Sequence, residues 1–434
     1  MEKVLILTYY WPPSGGPGVQ RWLKFAKHLP AMGYEPVVIT VDPQQATYPL
    51  TDWEMEKELL KEITVYHTDT REPYALYKKL LRKKQVPYSG FTNEENNGLI
   101  SKLSRFIRGN LFIPDARKGW NPFAIAQASK LIHQYNIRIL ITTSPPHSTQ
   151  LAGLELKKRF PHIRWIADLR DPWTDIFYYK KMLHLAMAKR KDLKLEKLVL
   201  NNADLVITVS EPIRKLFAGK IEDPQKQPPV VIHNGFDEDD FAGEPASPDK
   251  QFFTITYTGT LNEDYNLTGF INAVKEIKTH NGKKLKLHFV GSICPKWKNE
   301  LTGQFSQEVT FTSHVSHAEA IVYMKQSDML LLVIPQIEQN EGILTGKLFE
   351  YLASHRPILG IGPTHGDAAK ILTETRAGVM FNYHDSRSIA AHINQTINKN
   401  KDHNPNTHEI NRYSRKTLTK KLIELLNDNK KDQL

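Results

Sequence analysis

Short apolar runs without strict alternation recur along this chain, and stretches of helical periodicity separate most of them. The first run is Val4–Tyr9, and the turn-forming loop Trp11-Pro-Pro-Ser-Gly-Gly-Pro-Gly18 follows it. A helix is predicted over 19–29, because Trp22, Phe25, Ala26 and Leu29 stand at i, i+3, i+4 and i+7. Pro30 and Gly33 are its natural stops. Further strands are expected at Pro36–Val41, Ile137–Thr143, Trp165–Ala167, Leu205–Val209 and Val230–Ile232. A strand apolar on both faces must be covered on both, so the pattern predicts a parallel sheet between helical layers.

The series is interrupted by the polar, turn-rich stretch from Asp237 to Lys250 and then starts again. Strands are expected at Phe253–Tyr257, Leu285–Val290, Val309–Phe311, Met329–Ile334 and Ile358–Ile361. Helices are expected near Ala318–Lys325, Gly346–Ser354 and Ala368–Glu374. A chain of 434 residues exceeds the roughly 250–300 over which one core keeps growing. Two doubly wound α/β domains are therefore predicted, at 1–240 and 241–404, facing one another across a cleft. A basic insertion at about 73–120 belongs to the first. The segment 405–434 is read as a C-terminal helix packing back on the first domain.

The formal net charge of +11 favours anionic partners such as phosphates, nucleic acid or acidic lipid heads. Ten basic residues against three acidic ones lie between Lys78 and Lys118. Leu76–Leu81 and Leu99–Ile107 mix these cations with apolar residues at helical spacing. That is the composition of an interfacial anchor on anionic lipid, and equally of a solvated helix pair. No recognition-helix, zinc or aromatic RNA-binding signature accompanies the charge, so nucleic acid is not an expected partner. The single cysteine, Cys294, cannot form an internal bridge and suggests a reducing compartment. Trp11-Pro12-Pro13 ends the first apolar run too early for a signal peptide, and no apolar window is long enough to span a bilayer. A cytoplasmic location, peripheral at the face of the inner membrane, is the expectation.

In doubly wound sheets ligands sit beyond the carboxyl ends of strands, where glycines admit the backbone and helix N-termini face anions. Gly15, Gly16 and Gly18 form such a loop, suited either to a phosphate or to a tight strand-to-helix turn. Arg21 stands where the third glycine of a dinucleotide fingerprint would be, which weakens a nicotinamide-dependent oxidoreductase reading although Asp42 ends the second strand. In the second half, Gly342, Thr345 and Gly346 precede a helix, with Lys347 in its first turn opposing the dipole. An anion between the helix end and that lysine would reconcile the two. Glu350, one turn on, could accept hydrogen bonds from a sugar diol.

These residues resemble glycosyltransferase family 4, the retaining sugar-nucleotide transferases of GT-B fold. The resemblance rests also on Ser144-Pro-Pro-His-Ser148, Trp165-Ile-Ala-Asp-Leu-Arg-Asp-Pro-Trp173, Ile207-Thr-Val-Ser210, His233-Asn-Gly-Phe-Asp237, Tyr257-Thr-Gly259 and Gly346-Lys-Leu-Phe-Glu-Tyr-Leu-Ala353. The Trp165–Trp173 segment is similar to the branch that acts in bacterial surface-polysaccharide synthesis. The resemblance implies a UDP- or GDP-linked sugar donor, a glycan or lipid-linked glycan acceptor, retention, and no cofactor or metal. It makes Glu350 the second glutamate of the family's Glu-x7-Glu motif, on the donor ribose. Glu341 lies one residue out of step with the first glutamate, whose place Gly342 takes, and both are expected on the sugar side. Thr260 stands where relatives carry a diphosphate arginine, so the diphosphate is left to the glycine loop, Gly259, Thr260, Thr345, Gly346 and the cations Lys347, Arg21 and Arg170, in that order. Arg170 is also expected to face the sugar and acceptor. His147 takes the place of a histidine near the transferred sugar, and Asp171 that of an acceptor-side helper. A sugar-nucleotide epimerase or hydrolase of the same shape is the nearest alternative.

Overall fold

The structure, a computed structural model, describes residues 1–57, 62–72, 99–243, 247–277, 283–398 and 403–427. They fall into two compact units, Met1–His233 together with Thr419–Leu434, and Asn234–Leu418. The divide thus precedes the polar stretch at 237–250. Phe236 forms a bridge with Ser414, which ties the chain after His233 to the second unit.

The first unit is built on seven strands: β1 (Glu2–Leu7), β2 (Tyr34–Val41), β3 (Thr64–Thr68), β4 (Ile139–Ser144), β5 (Arg164–Leu169), β6 (Leu205–Thr208) and β7 (Val230–Val231). All pair in parallel, in the order β3-β2-β1-β4-β5-β6-β7. The second unit has six: β8 (Phe252–Thr258), β9 (Lys284–Val290), β10 (Val309–Thr312), β11 (Met329–Val333), β12 (Ile358–Ile361) and β13 (Gly378–Phe381). They are parallel too, in the order β10-β9-β8-β11-β12-β13.

Both sheets reverse strand order beside their first strand, between β1 and β4 and between β8 and β11. Loops leaving neighbouring strands there turn to opposite faces and leave a crevice at the carboxyl ends. The non-alternating strands are covered on both faces as their composition requires. Leu5 and Leu7 pack in the first core with Trp120 and Trp165, and Val4 and Ile6 are equally buried. The helix Pro17–His28, with proline at its first position, buries Trp22, Phe25 and Ala26. The last helix, Arg415–Asn427, returns to the first unit. There Arg164 donates to the Leu425 and Leu426 carbonyls, and the Tyr34 hydroxyl donates to Asn427.

Candidate functional site

In the first unit the loops after β1, β4 and β5 carry the expected residues. Arg170 ties them together. Its Nε donates to the Ser144 carbonyl at 2.9 Å, Nη1 to the Gly18 carbonyl at 2.5 Å and Nη2 to the Pro145 carbonyl at 3.4 Å. The guanidinium therefore clamps the glycine loop to the Ser144–His147 turn. Gly16 caps the helix Pro17–His28, and the Gly15 amide donates to the Leu50 carbonyl at 2.9 Å. Gly15 thus spends its N–H on the neighbouring chain segment rather than offering it to a phosphate.

Arg21 departs from expectation. Its side chain is fully buried, with Nε and Nη2 donating to the two Asp168 carboxylate oxygens at 3.1 and 3.0 Å. Nη1 donates to the Ile232 and His233 carbonyls. Asp168 also accepts from Trp22 Nε1 at 2.6 Å and from the Thr143 hydroxyl. Four guanidinium N–H groups are engaged inside the fold, so Arg21 is withdrawn from the diphosphate cations and is a scaffold residue. A charge paired and hydrogen-bonded in this way can be buried without an uncompensated desolvation cost.

His147 lies flat on Trp173, with ring centroids 4.7 Å apart and planes 10° from parallel. Trp173 is held in turn by Asp192, whose carboxylate accepts its Nε1–H at 2.9 Å. Burial, helped by the Arg170 charge, pushes the His147 pKa down to about 3, so the imidazole is neutral at physiological pH. Its Nδ1 is buried without a hydrogen-bond partner. An orphaned buried nitrogen marks a place where a further polar group fits. Burial raises the neighbouring Asp171 carboxyl, against the lowering effect of Arg170.

In the second unit, Lys347 extends from the start of the helix Gly346–Ala353 to the end of β8. Its ammonium donates to the Tyr257 hydroxyl at 2.9 Å and to the Thr260 carbonyl at 3.5 Å. It also lies 4.7 Å from the Tyr257 ring centre and 5.8 Å from that of Tyr265. Burial lowers its pKa to about 8, opposed by the field of Glu350. Among the described residues no carboxylate lies within ion-pair reach of it. Gly259 makes room for this side chain: a Cβ there would stand 2.6 Å from Lys347 Cε. Thr345, at the N-cap of the same helix, buries a hydroxyl with no partner.

The Glu350 carboxylate contacts His317 Nε2 at 3.0 Å. His317 opens the helix His317–Lys325, just beyond β10, and the sequence reading missed it. The signal was its place after a strand end, behind a Ser316–Glu319 capping box. Glu341 and Gly342 lie in the short 3-10 turn Asn340–Gly342, with the Glu341 side chain exposed and its carbonyl packed against Gly366. Lys347, Gly259, Thr260, Thr345 and Gly346 are thus brought together around one helix end, with Glu350 one turn further along. No group of three or more His, Cys, Asp or Glu side chains among the described residues is placed to hold a metal ion.

Residues 18–240 match the family described as Glycosyltransferase Family 4, and residues 253–399 the one described as Glycosyl transferases group 1. No curated protein matches the chain. Among solved structures, similar folds include Anabaena HepE in complex with UDP-glucose, at 14% identity and TM-score 0.59, covering 98% of this chain and 100% of that one. The trehalose-6-phosphate synthase OtsA follows at 13% identity and TM-score 0.65, covering 98% and 99%. The lipopolysaccharide outer core galactosyltransferase WaaB, in its apo form, gives 12% identity and TM-score 0.57, covering 98% and 99%. At these identities the likeness is one of fold, and with the two parallel sheets it is the α/β GT-B fold.

Proposed function

The chain belongs to glycosyltransferase family 4, and from that premise we propose that it moves a sugar from a nucleoside-diphosphate donor to a glycan or lipid-linked glycan, with retention. The observation that carries this reading is Lys347, an ammonium with no carboxylate in ion-pair reach among the described residues, held beside the N-terminus of the helix that also presents Glu350. That arrangement suits a diphosphate next to a ribose. The HepE structure holds UDP-glucose, which supports a UDP-linked donor.

Transfer breaks the C1–O bond to the β-phosphate through an oxocarbenium-like transition state. Charge builds on the departing diphosphate, so donors fixed in advance around it lower the barrier most. Lys347, the Gly346 and Lys347 amides at the helix start and the Thr345 hydroxyl fill that role. The acceptor oxygen bonds to C1 from the face the phosphate leaves, and its proton passes to the departing phosphate oxygen. No enzymic base and no metal are called on. Neutral His147 uses its unpaired nitrogen to orient the sugar, and Asp171 assists on the acceptor side. Glu350, set by His317, holds the ribose diol.

A role in cell-surface polysaccharide synthesis is supported by the Trp165–Trp173 segment and by the fold likeness to WaaB. The acceptor then lies at an anionic membrane face. Donor screening with UDP- and GDP-sugars, read by product mass, tests the proposal. Acceptor-dependent transfer with an unchanged anomeric configuration by NMR is expected. Donor hydrolysis or epimerisation without an acceptor would instead favour an enzyme of the same fold and another reaction.

A further inference from the structure

Across residues 99–111 and 177–194 of the first unit the surface is apolar and cationic at once. Leu103 is 54% exposed, Leu111 73%, Leu185 54% and Met187 79%, and Phe106 and Leu183 are exposed beside them. Large apolar side chains grouped in this way are unusual on a soluble surface and mark a docking face. Asn110 joins the two segments. Its amide donates to the Leu183 carbonyl at 3.1 Å, and its carbonyl accepts from the Leu185 N–H at 2.7 Å. Lys102, Lys181, Lys189, Arg190, Lys191 and Lys194 are exposed on the same two segments. Their one acid, Asp192, is buried and accepts from Trp173 and Tyr179.

We propose that this face docks on an anionic lipid bilayer, Leu185 and Met187 entering the headgroup–acyl boundary and the lysines and Arg190 lying on the phosphates. Apolar side chains ringed by cations, with no exposed acid among them, fit a bilayer of negative surface potential. The helix Leu99–Leu111, within the described part of the expected basic window, is one half of this face; residues 76–81 lie outside the described residues. None of these side chains belongs to the donor or sugar residues, so bilayer binding and sugar transfer can fail separately.

Flotation of the full chain with phosphatidylcholine vesicles, with and without phosphatidylglycerol, tests it. Wild type should float with the anionic vesicles only, and less as salt is added. Lys189→Glu/Arg190→Glu/Lys191→Glu should weaken binding by more than about ten-fold, and Leu185→Ser/Met187→Ser should weaken it without removing charge. Both variants should keep the wild-type melting midpoint and its response to UDP. Equal flotation of the apolar variant, flotation on neutral vesicles alone, or binding to duplex DNA with vesicles ignored would overturn the proposal. A wild type that floats but ignores UDP would sink the donor reading and leave this one standing.

Discussion

Lys347 lays its side chain across the Gly259 backbone and donates from its ammonium to the Tyr257 hydroxyl at 2.9 Å. The contact joins the end of β8 to the first turn of the helix Gly346–Ala353, and it places a cation where a helix dipole alone would disfavour one.

Lys347→Met should lower kcat by about 10²–10³-fold, the usual loss when one preset donor to the developing charge is removed. Rates with a saturating donor check this. With a pKa near 8, wild-type Lys347 loses its charge above that pH, so nucleotide affinity should fall as pH rises through about 8. The unfolded lysine titrates near 10.5, so the folded chain binds fewer protons between about 8 and 10.5 and gains stability as pH rises there. Both dependences should flatten in Lys347→Met.

Gly259→Ala should weaken both fold and nucleotide binding. Gly259 has φ +97°, and the new methyl would meet Lys347. Gly291→Ala, at φ +122°, would press its Cβ to 2.4 Å from the Gly259 carbonyl. A loss of about 1–3 kcal/mol is expected from the backbone conformation of each, read as a lower melting midpoint.

Arg21→Met should destabilise the protein by about 3–5 kcal/mol, because Asp168 would be left buried and uncompensated. Urea unfolding followed by tryptophan fluorescence measures it. The nucleotide Kd of the folded fraction should not change. A weaker Kd with unchanged stability would return Arg21 to the diphosphate.

His147→Ala should cost about ten- to a hundred-fold in kcat/KM, the loss of a hydrogen bond made to the sugar. It should not move the acid limb of the pH profile, since the imidazole is already neutral. Asp171→Asn should shift that limb, because burial raises the Asp171 carboxyl and its protonation then falls nearer the working range.

The buried strands were legible because a run apolar on both faces has few other uses. β3 and β13 were missed. Both are sheet edges, and Thr64–Thr68 and Gly378–Phe381 carry polar, exposed or glycine positions that break the apolar run. Around the site, Lys347 and Glu350 were legible because they share one helix with the glycines before it. The role of Arg21 was not, since its partner Asp168 is 147 positions away and a buried ion pair leaves no local spacing. His317 was hidden likewise, 33 positions from Glu350 and joined to it only by the fold.

The most direct measurement is calorimetric titration of the wild type and Glu350→Ala with UDP and with GDP. One of the two nucleotides should bind the wild type, and Glu350→Ala should bind it at least about ten-fold more weakly, as expected when a charged hydrogen-bond acceptor is lost. Equal affinity in both proteins, or no binding of either nucleotide by a folded wild type, would contradict a donor held at Lys347 and Glu350.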